Sequence, residues 1–126
     1  MNIFFLSSSP KRAARYHNDK HVRKMIVETA QLLSTAHRLL DGEEYTVLSK
    51  NGRRLKRWKL PDERDEVLYL AAYYNHPCAV WVRKQSGNYK YAFELLFELI
   101  NEFHYRFHKP HKSEELIPFL DHLPKI

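Results

Sequence analysis

Two long stretches of the chain place apolar residues on one face of a helix. Val22, Met25, Ile26, Ala30, Leu33, Ala36 and Leu40 align at about 100° per residue, which predicts a helix from Asn18 or Asp19 to Leu40, ended before Gly42. Tyr91, Leu95, Leu96, Leu99, Ile100 and Phe103 form a second stripe, predicting a helix capped by Asn88 that runs to about Phe107 and stops at Pro110. Shorter signals surround these two. Ser9 before Pro10 reads as an N-cap with proline in the first turn, opening a helix over Lys11 to Tyr16. Cys78 to Lys84 reads as a short helix broken at Ser86-Gly87, and Ser113 to Leu123 as a last one.

One segment differs in kind. Tyr45 to Lys50, then Asn51-Gly52, then Arg53 to Leu60 is a hairpin pattern, with Asn-Gly supplying the positive φ angles of a type I′ turn and Pro61 closing it. Asp62 to Tyr74 is read as a further helix, with Val67 to Leu70 as a strand the alternative. The expected architecture is mainly α: a single compact helical domain over residues 1–126, with a basic β-hairpin inserted at about 44–60.

Composition sharpens this picture. Only three glycines occur among 126 residues, and 44% of residues are apolar, as packed helices require. The net charge of +6 favours polyanionic partners, since Lys and Arg release counterions from phosphates. The single cysteine, Cys78, forbids an internal disulfide, fits a reducing cytoplasm and reads as buried rather than nucleophilic. The opening Ile3-Phe4-Phe5-Leu6 is too short to span a membrane and has no basic leader; it reads as a short buried strand or extended arm, not a signal peptide.

Candidate chemistry lies on the first long helix. His21, Lys24, Glu28 and Gln31 are spaced three, four and three, forming a polar stripe beside the apolar one, with Asp19 and Lys20 at its start and Thr35 continuing it. An imidazole, an amine and a carboxylate within three turns can do acid/base or imine chemistry; a solvated face with a Lys24–Glu28 surface pair is the plainer reading. His76, in Asn75-His76-Pro77, is either a cleft residue titrating near neutrality or a helix cap. Lys50, Arg53, Arg54, Lys56, Arg57 and Lys59 put six cations in ten residues around Trp58, suited to gripping a phosphate backbone; an edge charged against aggregation is the alternative. Arg12, Arg15 and Arg23 extend the basic surface. His104, His108 and His111 lack a spaced carboxylate or cysteine partner, so no metal and no cofactor are expected.

The segment Asp19 to Glu28, with the later Asn75-His76-Pro77-Cys78-Ala79-Val80-Trp81, resembles the pyrimidine-dimer DNA glycosylase superfamily (endonuclease V type), and more closely small proteins of tailed bacteriophages. The resemblance covers most of the chain apart from the hairpin. It implies an all-helical fold and attack by a free N-terminal amine on C1′ of a damaged nucleotide, followed by β-elimination with a helix-borne Glu essential. Glu28 matches that Glu, and His21 the His seven residues before it. Val27 and Gln31 stand where the family carries arginines, Asn2 would leave Met1 in place, and the spacer to Glu28 is longer. Met1 or Lys24 would supply the amine.

Three functions are therefore in view. The first is a glycosylase and abasic lyase acting on damaged or modified bases, with double-stranded DNA as partner, Glu28 as carboxylate, and His21 and His76 lining the site; Trp58, Trp81, Tyr89 or Tyr91 would stack on the exposed base. The second is a non-catalytic nucleic-acid binder, the third an enzyme of nucleotides or modified bases. All three place the chain in the cytoplasm, in the phage case within a bacterial host.

Overall fold

The computed structural model describes residues 2–126. Ser9 Oγ accepts the Arg12 amide at 3.4 Å and starts helix α1, Pro10–Tyr16. Asn18 Oδ1 accepts the His21 amide at 2.8 Å and starts α2, Asp19–Asp41. Both long stripes are buried as their spacing predicts: Val22, Met25, Ile26, Ala30, Leu33 and Ala36 on α2, and Leu95, Leu96, Leu99, Ile100 and Phe103 on α5, Ser86–Phe107. These helices pack on each other, α1 packs on α5, and α4, Pro77–Lys84, packs on both α2 and α5. The fold is mainly α with one inserted hairpin.

The hairpin pairs β1, Glu43–Leu48, with β2, Arg54–Lys59, antiparallel, with Glu44 opposite Trp58 and Leu48 opposite Arg54. Its turn is not type I′. Gly52 has φ +77 but Asn51 is not in the positive region, Gly52 N–H donates to Ser49 O at 2.9 Å, and Ser49 N–H donates to Arg53 O at 2.8 Å. This is the three-residue loop in which a type I turn is followed by a left-handed glycine, so Asn-Gly supplies one special φ rather than two.

The stretch 62–74 is helical only over α3, Arg64–Val67. The cause is Arg38, a residue of α2 that is 1% exposed. Its guanidinium donates to the carbonyls of Trp58, Asp65, Leu68 and Tyr69 at 2.7–3.0 Å and to Asp65 Oδ1 at 2.8 Å. All five guanidinium N–H groups are thereby satisfied. Carbonyls that a longer helix would need internally are turned toward this cation, and the chain stays extended.

Two further elements and one residue depart from expectation. Asn88 does not cap α5, which begins at Ser86; its side-chain amide donates to Trp81 O at 2.9 Å and closes α4 instead. The last helix divides into a 3-10 turn, Lys112–Leu116, and α6, Ile117–Leu120. Cys78 is half-buried.

The N-terminal arm is extended and stitched across the helices. Ile3 is buried, Phe4 packs on His17 and His21 with ring centroids 5.7 and 4.9 Å away, and Phe5 packs on Trp81 and Tyr91 at 5.0 and 5.5 Å. Opposite the arm, His37 closes a second polar network. Arg64 Nη1 donates to His37 Nδ1 at 2.9 Å, which leaves His37 Nε2–H to donate to Tyr89 Oη at 2.6 Å, and Tyr89 in turn donates to Leu120 O at 2.7 Å. Arg64 also bridges Asp41 and Asp62. No helix among the described residues is long and apolar enough to cross a membrane.

Candidate functional site

The polar stripe of α2 is present as spaced: His21, Glu28 and Gln31 are half-buried and Lys24 is exposed. Among the described residues none of these side chains takes part in an ion pair or a side-chain hydrogen bond, so the Lys24–Glu28 surface pair does not form. The interior cations behave in the opposite way. Arg38 is saturated, Arg64 makes four hydrogen bonds to Asp62, His37 and Asp41, and Arg106 donates to Glu102, Asp19 and the carbonyls of Arg15 and His17. Asp19 is thus a structural partner that helps pin the α1–α2 corner.

His76 stands at the start of α4, where its Nδ1 accepts the Cys78 amide at 3.1 Å, so the helix-cap alternative is the one observed. No hydrogen bond joins it to the stripe. Lys20 is exposed at the first turn of α2. Met1 lies outside the described residues.

Thr35, the last member of the stripe, is buried and grips the backbone of Ala72: its Oγ1 accepts from the amide at 3.2 Å and donates to the carbonyl at 3.4 Å. The segment 69–74 consequently runs across α2 beside Gln31. There it borders a cleft of about 600 Å³ lined by Gln31, Arg57, Leu70, Tyr73 and Tyr74, among others. Of the stripe, Gln31 alone reaches this cleft, and His21, Lys24, Glu28 and His76 line none of the five cavities described.

The basic hairpin is largely exposed. Lys50, Arg53, Arg54, Lys56 and Lys59 are exposed and Arg57 half-buried; the one ion pair they make among the described residues is Lys56 to Glu44, 3.9 Å apart and open to water. Trp58 departs from its expected role. It is 8% exposed and meets Tyr74 edge-on at 5.0 Å, so it anchors the hairpin's base and cannot stack on a ligand. Tyr89 is buried, and Trp81 and Tyr91 are occupied by Phe5. Arg12 and Arg15 are exposed on α1, and the Arg23 guanidinium lies over the Phe107 ring, 5.0 Å from its centroid.

The three histidines near the end of α5 each have a local task. His104 pairs with Glu114, His108 takes the left-handed C-cap with φ 56, and His111 Nδ1 accepts the Ser113 amide at 3.0 Å. Among the described residues no group of three His, Cys, Asp or Glu side chains could hold a metal ion. Burial lowers the pKa of His17, His37 and His111, in the case of His37 to about 4.

Residue-level reading of the sequence missed Arg38, His37, Arg64 and Tyr73. Arg38 had a signal, a cation set directly before Leu39-Leu40 on a core helix; so did Tyr73, in an aromatic pair ahead of Asn75-His76-Pro77. Protein-family models, curated proteins and solved structures yield no match to this chain. The likeness to the pyrimidine-dimer glycosylases therefore rests on the two sequence motifs alone.

Proposed function

We propose that the chain is a nucleic-acid-acting enzyme of glycosylase and abasic-lyase type, with Glu28 as the carboxylate and the hairpin cations as the phosphate grip. One observation carries the reading. A half-buried carboxylate, an amine one turn away and an imidazole share a helix face with no side-chain hydrogen-bond or ion-pair partner among the described residues, while the buried Arg38 has all five of its N–H groups bonded. Unpaired polar groups at regular spacing are available to a substrate in a way that paired ones are not.

An amine would add to C1′ of an abasic sugar aldehyde and lose water to form an imine. The imine acidifies the C2′ proton, Glu28 takes that proton, and the C3′–oxygen bond breaks as the electron pair moves to the 3′-phosphate. Lys24 and the α-amine of Met1 are the two candidates for the nucleophile; an α-amine titrates at about 8, so a substantial minority of it is neutral and nucleophilic near physiological pH. The duplex, damaged or modified, is the proposed partner, and the cytoplasm the proposed compartment. Borohydride trapping on abasic duplexes tests the reading. A covalent adduct that disappears in Glu28→Gln supports it, with Lys24→Ala and an N-terminally blocked chain assigning the amine. Absence of an adduct with abasic and with dimer-containing duplexes overturns it.

A non-catalytic nucleic-acid binder is the second reading. It is favoured by the linings of the five cavities described, none of which includes His21, Lys24 or Glu28. In that case duplex binding is steeply salt-dependent, no turnover occurs, and Glu28→Gln is silent.

A further inference from the structure

The cleft at the foot of the hairpin has an aromatic that packing does not explain. Tyr73 is 72% exposed and has φ 48, in the left-handed region that bulky residues avoid. A glycine or asparagine would fit this backbone with less strain, and nothing in the core is gained from the exposed ring. The conformation is enforced by its flanks. Arg38 holds the carbonyls of Leu68 and Tyr69, Thr35 holds both polar groups of Ala72, Trp58 holds the Tyr74 ring, and His76 N–H donates to Tyr73 O at 2.9 Å. Tyr73 is thus presented on a rigid mount beside Arg57 and Gln31.

We propose that this cleft seats one unpaired nucleobase, stacked on the Tyr73 ring, with Arg57 meeting the adjoining phosphate. The inference rests on the nucleic-acid reading above and deepens it. Arg57 has no acidic partner among the described residues, and its neighbours Arg53, Arg54 and Lys59 are likewise unpaired and exposed, so the charge beside the rings suits phosphate. Gln31 brings a donor and an acceptor for a base edge. A volume of about 600 Å³ accommodates a nucleotide. Stacking on a fixed ring tolerates any base, and ring fixation lowers the ordering cost of binding.

The test titrates the full chain with an oligothymidylate, an abasic oligomer of the same length and phosphate count, inorganic polyphosphate, and thymidine 5′-monophosphate. Wild type is expected to bind the base-bearing oligomer roughly tenfold more tightly than the abasic one. Tyr73→Ala should erase that preference while keeping the salt dependence, and Tyr73→Phe should retain it. Tyr73→Gly should erase the preference and raise the Tm by relieving the backbone, which separates stacking from folding. Saturation by the mononucleotide with the same Tyr73 dependence assigns the seat to free nucleotides, and binding of the polymer alone assigns it to single strands. Equal affinity for base-bearing and abasic oligomers, or a preference that survives Tyr73→Ala, overturns the seat and leaves phosphate binding standing. No binding to any of the four overturns the seat, and no binding to a damaged or abasic duplex titrated beside them overturns the nucleic-acid reading as well.

Discussion

Arg64 Nη1 donates to His37 Nδ1 at 2.9 Å, so the buried imidazole cannot take a proton without displacing a guanidinium. Desolvation first, and the Arg64 charge second, lower its pKa from 6.5 to about 4. An unfolded chain binds that proton below about pH 6.5 while the fold refuses it. Stability should therefore be full above that pH and fall toward pH 4, by up to about 1.4 kcal/mol per unit. His17 and His111, also lowered, add to the same slope. Urea midpoints from pH 7.5 to 4.5 check this, and His37→Gln should flatten the curve; an unchanged slope in that variant refutes the assignment.

Arg38→Met should cost about 3–5 kcal/mol, because it removes the donor from four carbonyls, two of those bonds buried and two part-buried, and the cation from Asp65. The Asp65 carboxyl sits below its usual range, first through the Leu60 amide and then through Arg38, so Asp65→Ala should be the milder lesion of the two. Chemical denaturation ranks them. Equal losses would mean that the Arg38 bonds to the carbonyls contribute little.

Gly42 and Gly87 should respond to alanine in opposite directions. A Cβ on Gly42 would lie 2.4 Å from Arg38 O and 3.2 Å from Trp58 Cβ, so Gly42→Ala should cost about 1–3 kcal/mol. Gly87 is in the first turn of α5 with nothing within 4 Å of its added carbon, and Gly87→Ala should gain about 0.4–1 kcal/mol. Thermal melts of the two variants decide it.

Removing Arg53, Arg54 and Arg57 together should weaken binding to every duplex sequence alike. The slope of log affinity against log salt should fall by about 0.9 for each phosphate that the protein no longer neutralises. Affinity titrations over a salt series measure this. A triple variant with the parental slope would show that the hairpin faces away from the phosphates.

Both long helices, the caps Ser9 of α1 and Asn18 of α2, and the hairpin were readable in the sequence because each rests on spacings or hydrogen bonds a few residues apart, whereas the start of α5 was not. The 62–74 segment was not. Its conformation is set by Arg38, whose partners lie 20 to 31 residues downstream, and no local preference of Val67 to Leu70 encodes that. Trp58 was misread for a related reason: its neighbours in sequence are cations, but its neighbour in space is Tyr74. The unpaired state of Glu28 was equally invisible, since spacing offers Lys24 as a partner and only the fold shows that the two form no ion pair.

The hairpin leaves the domain after Gly42 and returns at Trp58, and those two points touch. A foot closed in this way makes the arm a replaceable graft. Its outer rungs could be lengthened, shortened or recharged across related chains without disturbing the helices, since the closure entropy grows only slowly with loop length. Selection on what the arm touches could thus proceed separately from selection on the core that carries it.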